Sequence, residues 1–222
     1  MVDFIFMLTR QDQTIEDCIE TFECTKHLGV RHIGFKDVGV DFETLRELNR
    51  RIQASGATSY MEVVSTTPRA CLDSAGAARE IGVNRLLGGT DAEAILNIIA
   101  GSDIEYFPFP GKPEGHPTRL GGAPQEIADD CRRFQSLGCH GVDLLAYRAI
   151  ESRPCDLVRA AREATDGYLI IAGSVDSPQR IQELGEAGAD AFTVGSAVFD
   201  GSFSQHKGAT ASQLKDILAA CG

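Results

Sequence analysis

The stretch Ile170–Gly201, IIAGSVDSPQRIQELGEAGADAFTVGSAVFDG, decides how the whole chain is read. It enters on an apolar run, Tyr168 to Ala172, that reads as a strand and breaks at Gly173-Ser174-Val175. Ser177-Pro178 then supplies the N-cap and first-turn pair that opens a helix. The helix leaves through Ala187-Gly188-Ala189, where glycine permits the left-handed turn that ends it. A second apolar run, Ala191 to Val194, follows at once and stops at Gly195-Ser196-Ala197. Strand, helix and strand joined by short links predict a parallel βαβ unit.

The same rhythm extends back to the N-terminus. Strands are expected at Phe4 to Leu8, His32 to Lys36, Ser59 to Val64, Arg85 to Leu87, Ile104 to Phe107 and Gly141 to Leu145. Between them lie helical stripes, such as Ile15, Cys18, Ile19 and Phe22, or Phe42, Leu45, Leu48 and Ile52. The exit signal recurs at Leu28-Gly29-Val30, Ile81-Gly82-Val83 and Leu137-Gly138-Cys139. Eight strand–helix units predict one α/β domain over residues 1–222, a closed (β/α)8 TIM barrel. The alternative, a doubly wound open sheet, needs no eighth strand and leaves two exposed edges.

Composition narrows the class. Hydrophobic residues are 43% and charged residues 24% of the 222, which suits a large core. Net charge is -11 and no dense Lys/Arg cluster is present, so a nucleic-acid partner is not expected. The seven cysteines are odd in number, contain no C-x-x-C pair and fall partly on apolar helix positions. They read as free thiols of a reducing, cytoplasmic compartment rather than disulfides or a zinc site. The opening MVDFIFMLTR lacks the charge and length of a signal peptide, and no apolar run is long enough to span a membrane.

The two glycine-containing strand ends are the strongest functional signal. Phosphate oxygens need backbone N–H donors at close range, and a missing Cβ allows that approach. In a barrel of this kind the turns after strands seven and eight are where phosphate is commonly held, with help from a helix N-terminus. Over about Tyr168 to Gly201 the chain resembles the ribulose-phosphate-binding barrel superfamily, in particular the phosphoribosyl isomerases of histidine and tryptophan synthesis and related sugar-phosphate epimerases. The resemblance implies that Gly173, Ser174, Gly195 and Ser196 touch a phosphate, and it places the protein in carbohydrate metabolism. That family usually carries a second glycine where this chain has Ser174, whose hydroxyl can still donate. Glycines that merely make tight turns are the structural alternative.

Period-two alternation selects the inward residues of each strand. With Ile33 and Phe35 facing helices, Gly34 and Lys36 face the barrel axis; Glu62 and Asp143 do so by the same reasoning. Two carboxylates and an ammonium fit proton transfer beside a carbonyl, with Glu62 and Asp143 as acid and base and Lys36 facing the enolate oxygen. An interior salt-bridge network is the alternative, and Arg85 and Glu105 fit it better than they fit catalysis. The loop Pro108 to Gly122 is long for its place; its Lys112, His116 and Arg119, with Arg10 near the first strand, read as a lid or rim, or else as a surface excursion or subunit contact. No cofactor is expected, and no His/Asp/Glu cluster has metal-ligand spacing. The expected activity is isomerase or epimerase on a phosphorylated sugar or related metabolite. A lyase or aldolase with a Lys36 Schiff base and a non-catalytic phosphometabolite binder are the alternatives. Oligomeric state, including a homo-oligomer, is left open.

Overall fold

The computed structural model describes residues 2–65, 67–115 and 117–221. Eight parallel strands form one sheet: β1 (Asp3–Met7), β2 (His32–Lys36), β3 (Thr58–Glu62), β4 (Arg85–Leu87), β5 (Glu105–Phe107), β6 (Gly141–Leu144), β7 (Tyr168–Ile171) and β8 (Ala191–Val194). Their order is β6-β7-β8-β1-β2-β3-β4-β5. The remaining seam, β5 against β6, is bridged by His140 N donating to Tyr106 O at 3.1 Å and Asp143 N to Pro108 O at 3.0 Å. The sheet is thereby a barrel with no free edge, the single-domain (β/α)8 architecture expected from the repeating units.

Helices α1 (Cys18–Thr25), α2 (Phe42–Ala54), α3 (Pro68–Ile81), α4 (Ala92–Ile99), α5 (Pro124–Ser136), α6 (Pro154–Ala164), α7 (Pro178–Ala187), α8 (Ser196–Phe199) and α9 (Thr210–Ala220) follow the strands. Local chemistry sets their ends. Asp41 caps α2 by accepting from Thr44 N at 2.7 Å, and Ser177 caps α7 ahead of Pro178. Gly82 and Gly188 close α3 and α7 at φ of 75° and 96°. Most of the core lies between barrel and helices, where Ile33, Phe35, Val142 and Leu144 pack outward. A second cluster fills the barrel itself: Ile5, Met7, Tyr60, Leu87, Phe107, Ile170 and Ala191.

Two hairpins interrupt the repeat, and neither was expected. Thr9–Arg10 pairs with Gln13–Thr14 directly after β1, so α1 begins only at Cys18 and Ile15 lies outside it. Lys112–Glu114 pairs with Arg119–Gly121 inside the long loop after β5. Strand bounds also shift by a residue or two from the apolar runs, because buried side chains continue past the last ladder bond.

Candidate functional site

Strands β2 and β3 pair Lys36 with Glu62 in register at their C-terminal ends. Both side chains are buried, and Lys36 Nζ lies 3.1 Å from Glu62 Oε1. Asp12, at the tip of the Thr9–Thr14 hairpin, places Oδ1 2.8 Å from the same ammonium. Arg148, in the turn after β6, holds Asp12 through Nη2–Oδ1 at 3.0 Å and Nη1–Oδ2 at 3.3 Å. The four form a chain of alternating sign, Glu62, Lys36, Asp12, Arg148. The turns after β7 and β8 stand beside it. Gly173, Ser174, Gly195 and Ser196 line one cavity of about 240 Å³ together with Lys36, Glu62, Asp12 and Arg148. The two glycine turns and the Lys36–Glu62 pair, assigned separately from sequence, are thus brought to one place.

The β7 turn is a tight fit. A Cβ at Gly173 would run into the Arg148 guanidinium, so the arginine lies against the turn only because that residue is glycine. Gly173 N donates to Thr193 Oγ1 at 3.4 Å, a long bond. Ser174 sits at φ +60°, in the left-handed region that costs an L-residue free energy and clusters at functional sites. Gln11 and Asp12 share that conformation at φ +51° and +59°, and Gln11 N reaches Ser196 Oγ at 3.4 Å. The hairpin therefore bridges the β8 turn and the charged chain.

Burial opposes the charge on Lys36, but Glu62 and Asp12 outweigh it and push its pKa up, so it is an ammonium. Asp12 also resists burial: Arg148 and Lys36 hold its carboxyl well below the ordinary range. Asp143 is the opposite case. It is fully buried, both carboxyl oxygens lack a hydrogen-bond partner, and burial followed by the Glu62 charge drives its pKa well above the usual carboxylate value. It points inward as expected, but it does not border the cavity. It is sealed from solvent and set back from the cavity lining.

The rim residues scatter. Arg119 lines a separate groove, Lys112 Nζ is 2.5 Å from Glu126 Oε1, and exposed Arg10 lies in the first hairpin outside the cavity lining. His116 lies outside the described residues. The long loop is tied down by Ile150 N to Leu120 O at 3.1 Å and Gly111 N to Asp130 Oδ2 at 2.8 Å. Arg85 and Glu105 open β4 and β5 at the other end of the barrel, 2.6 Å apart, with Arg85 also 2.6 Å from Tyr60 Oη. They are a structural plug. Asp37 accepts from Val64 N at 3.0 Å and from the Ser74 hydroxyl, joining the ends of β2 and β3 to α3. Asp12 was missed altogether, since a Gln-Asp turn carries none of the Asn-Gly or Asp-Gly signals of a two-residue hairpin. Among the described residues no group of three His, Cys, Asp or Glu is arranged to hold a metal, and no helix is long and apolar enough to cross a membrane. The seven cysteines are free.

No family model matches the chain. Geranylgeranylglyceryl phosphate synthase of Cenarchaeum symbiosum (strain A) is 35% identical over 115 residues, 51% of this chain and 44% of that protein. The match therefore spans under half of that relative's length. Among solved structures, orotidine 5'-phosphate decarboxylase from Lactobacillus acidophilus superposes with a TM-score of 0.64 at 12% identity, over all of both chains. Thiamine phosphate pyrophosphorylase from Pyrococcus furiosus gives 0.65 at 14%, over 100% of this chain and 98% of that one. At such identities the likeness is one of architecture. The shared architecture is the single-domain (β/α)8 barrel.

Proposed function

We propose that this barrel is an enzyme that binds a small phosphorylated metabolite and moves a proton beside its carbonyl group, as an isomerase or epimerase of a sugar phosphate does. The carrying observation is the convergence of Lys36, Glu62 and the two glycine turns on one small polar cavity. In this reading Gly173, Ser174, Gly195 and Ser196 hold the phosphate through amides and hydroxyls, and Arg148 lies alongside. The carbonyl oxygen faces the Lys36 ammonium. Glu62 takes the proton from the adjacent carbon, the C–H electron pair moves into the new C=C bond, and the carbonyl pair moves onto oxygen, where Lys36 meets the charge. Returning the proton to the former carbonyl carbon, while the neighbouring hydroxyl proton passes to the enolate oxygen and that neighbour becomes the new carbonyl, gives an isomer. A solvent proton delivered to the opposite face of the original carbon gives an epimer. Asp143, kept protonated by burial and by the Glu62 charge, is a neutral neighbour of that base and adds no second negative charge beside it.

The Schiff-base alternative is weakened by the charge on Lys36, because the attacking species is the free amine. The archaeal relative suggests a second reading, a synthase of a phosphate-bearing product. Few of the residues lining the cavity are apolar (Met7, Val175, Val194 and Ala197), which suits a short polar substrate better than a long isoprenoid chain. Turnover in D2O against a panel of aldose and ketose phosphates separates the readings. Deuterium is expected at the carbon next to the carbonyl, and Glu62→Gln is expected to abolish its entry. Bound sugar phosphates that never exchange would overturn the proton-transfer assignment.

A further inference from the structure

Met7 ends β1 between the two halves of the site, and the glycines on either side make room for it. Gly34 is its register partner in β2, two residues before Lys36. A Cβ at Gly34 would run into the Met7 sulfur, so the thioether lies over the bare backbone of that glycine. At its other end, Met7 Cβ stands 3.3 Å from the place a Cβ of Gly195 would take. One side chain thus reaches from the turn after β8 to the strand that carries Lys36. Met7 lines the cavity, yet it is only 2% exposed, because Ile5, Tyr60, Leu87 and Ile170 fill the barrel around and beneath it. It takes no part in the charged chain or the glycine turns. What it supplies is an unbranched, adaptable apolar surface under a polar cavity.

We infer that Met7 determines specificity: its thioether is the floor on which the substrate's carbon chain lies between phosphate and carbonyl, and it restricts the site to short-chain phosphates. This rests on the phosphate and carbonyl placement proposed above and adds the length of the molecule that fits it. Neighbouring strands lie about 4.8 Å apart, so β8 to β2, with β1 between them, is a span of about 10 Å. A phosphate, about three carbons and a hydrogen bond at each end fill that distance. The cavity, at about 240 Å³, also lies below the roughly 300 Å³ at which ligand pockets usually begin. Gly34 is as much a part of the device as Met7, because a side chain there would lift the sulfur. Packing beneath leaves it only the cavity to enter.

Calorimetry with inorganic phosphate, glycerol phosphate and ribitol phosphate tests it, since the three differ in the chain attached to one common group. The wild type is expected to bind glycerol phosphate about tenfold tighter than inorganic phosphate, as burial of about two carbons would give. Ribitol phosphate is expected to bind no tighter than glycerol phosphate. In Gly34→Ala the glycerol gain disappears while inorganic phosphate binds as before. That variant folds: Gly34 has no positive φ, and Tyr60 Cβ at 3.5 Å is an ordinary contact for the new methyl. Adding Met7→Ala removes the displaced thioether, so the double variant regains glycerol phosphate and accepts ribitol phosphate as well. The single variant decides the matter where the double one fails to fold. A glycerol gain that survives Gly34→Ala, a loss that the folded double variant does not reverse, or a wild type that prefers ribitol phosphate overturns the role of Met7 and leaves the phosphate site standing. Absence of binding by all three overturns the phosphate reading and this inference with it.

Discussion

At the residue scale the most informative group is Asp143, because its environment favours the form that ordinary aspartates avoid at neutral pH. Its folded pKa lies well above the unfolded value near 4. The native state therefore binds this proton more tightly, and the stability so gained is complete below the unfolded pKa and lost as pH rises through the folded one. Asn carries no such proton. The urea midpoint of Asp143→Asn relative to wild type is expected to rise as pH increases above about 4. Parallel curves would sink the assignment. Lys36 behaves differently, since it compensates the buried Glu62 carboxylate and the half-buried Asp12. Lys36→Met leaves Glu62 without its cation and is expected to cost about 3 kcal/mol in chemical denaturation. Lys36, Glu62 and Asp143 were all legible as inward residues, because strand alternation is a property of the local backbone. Asp12 was not legible: nothing in TRQDQT says that its carboxylate crosses to an ammonium twenty-four residues away.

At the scale of elements the β7 turn joins strain to function. Ser174 stands at φ +60°, where glycine pays no steric cost. Ser174→Gly is expected to keep or raise the melting temperature, the relief of about 1 kcal/mol being partly offset by a more flexible unfolded chain. It also deletes the hydroxyl of a residue that lines the cavity, so inorganic phosphate is expected to bind severalfold more weakly; an unchanged affinity would remove Ser174 from the site. Gly141, at the start of β6, answers to a different constraint. A Cβ there would enter the Tyr168 backbone, which is the pairing partner in β7. Gly141→Ala is expected to lose about 3 kcal/mol or to fail to fold, read from soluble yield and the urea midpoint. Helix caps and exits were visible in sequence because Ser177-Pro178 and Gly188 act within a few residues of themselves. The two hairpins were hidden, because their short strands are polar and owe their shape to the walls they lean on.

At the scale of the whole molecule the barrel keeps its two ends chemically separate. The C-terminal end carries the cavity; the N-terminal end carries Arg85, stacked over Tyr168 at 4.9 Å and Tyr60 at 5.3 Å and bonded to Glu105. Arg85→Met is expected to lower stability by about 2 kcal/mol, through lost charged hydrogen bonds, while leaving glycerol phosphate affinity unchanged. A loss of affinity would mean that the ends are coupled. The sequence by itself determined the eightfold repeat, the parallel sense of the strands, the inward direction of Lys36, Glu62 and Asp143, and the glycine turns after β7 and β8. All of these follow from periodicity and from residues that act over one or two turns of chain. Only the tertiary structure decided that Asp143 lies sealed away from the cavity lining, that Asp12 and Arg148 complete the charged chain, and that the long loop carries a hairpin bonded to the turn after β6. Those outcomes depend on which distant strands become neighbours when the barrel closes. Burial and charge pairing act through space, and no local pattern in the chain records them.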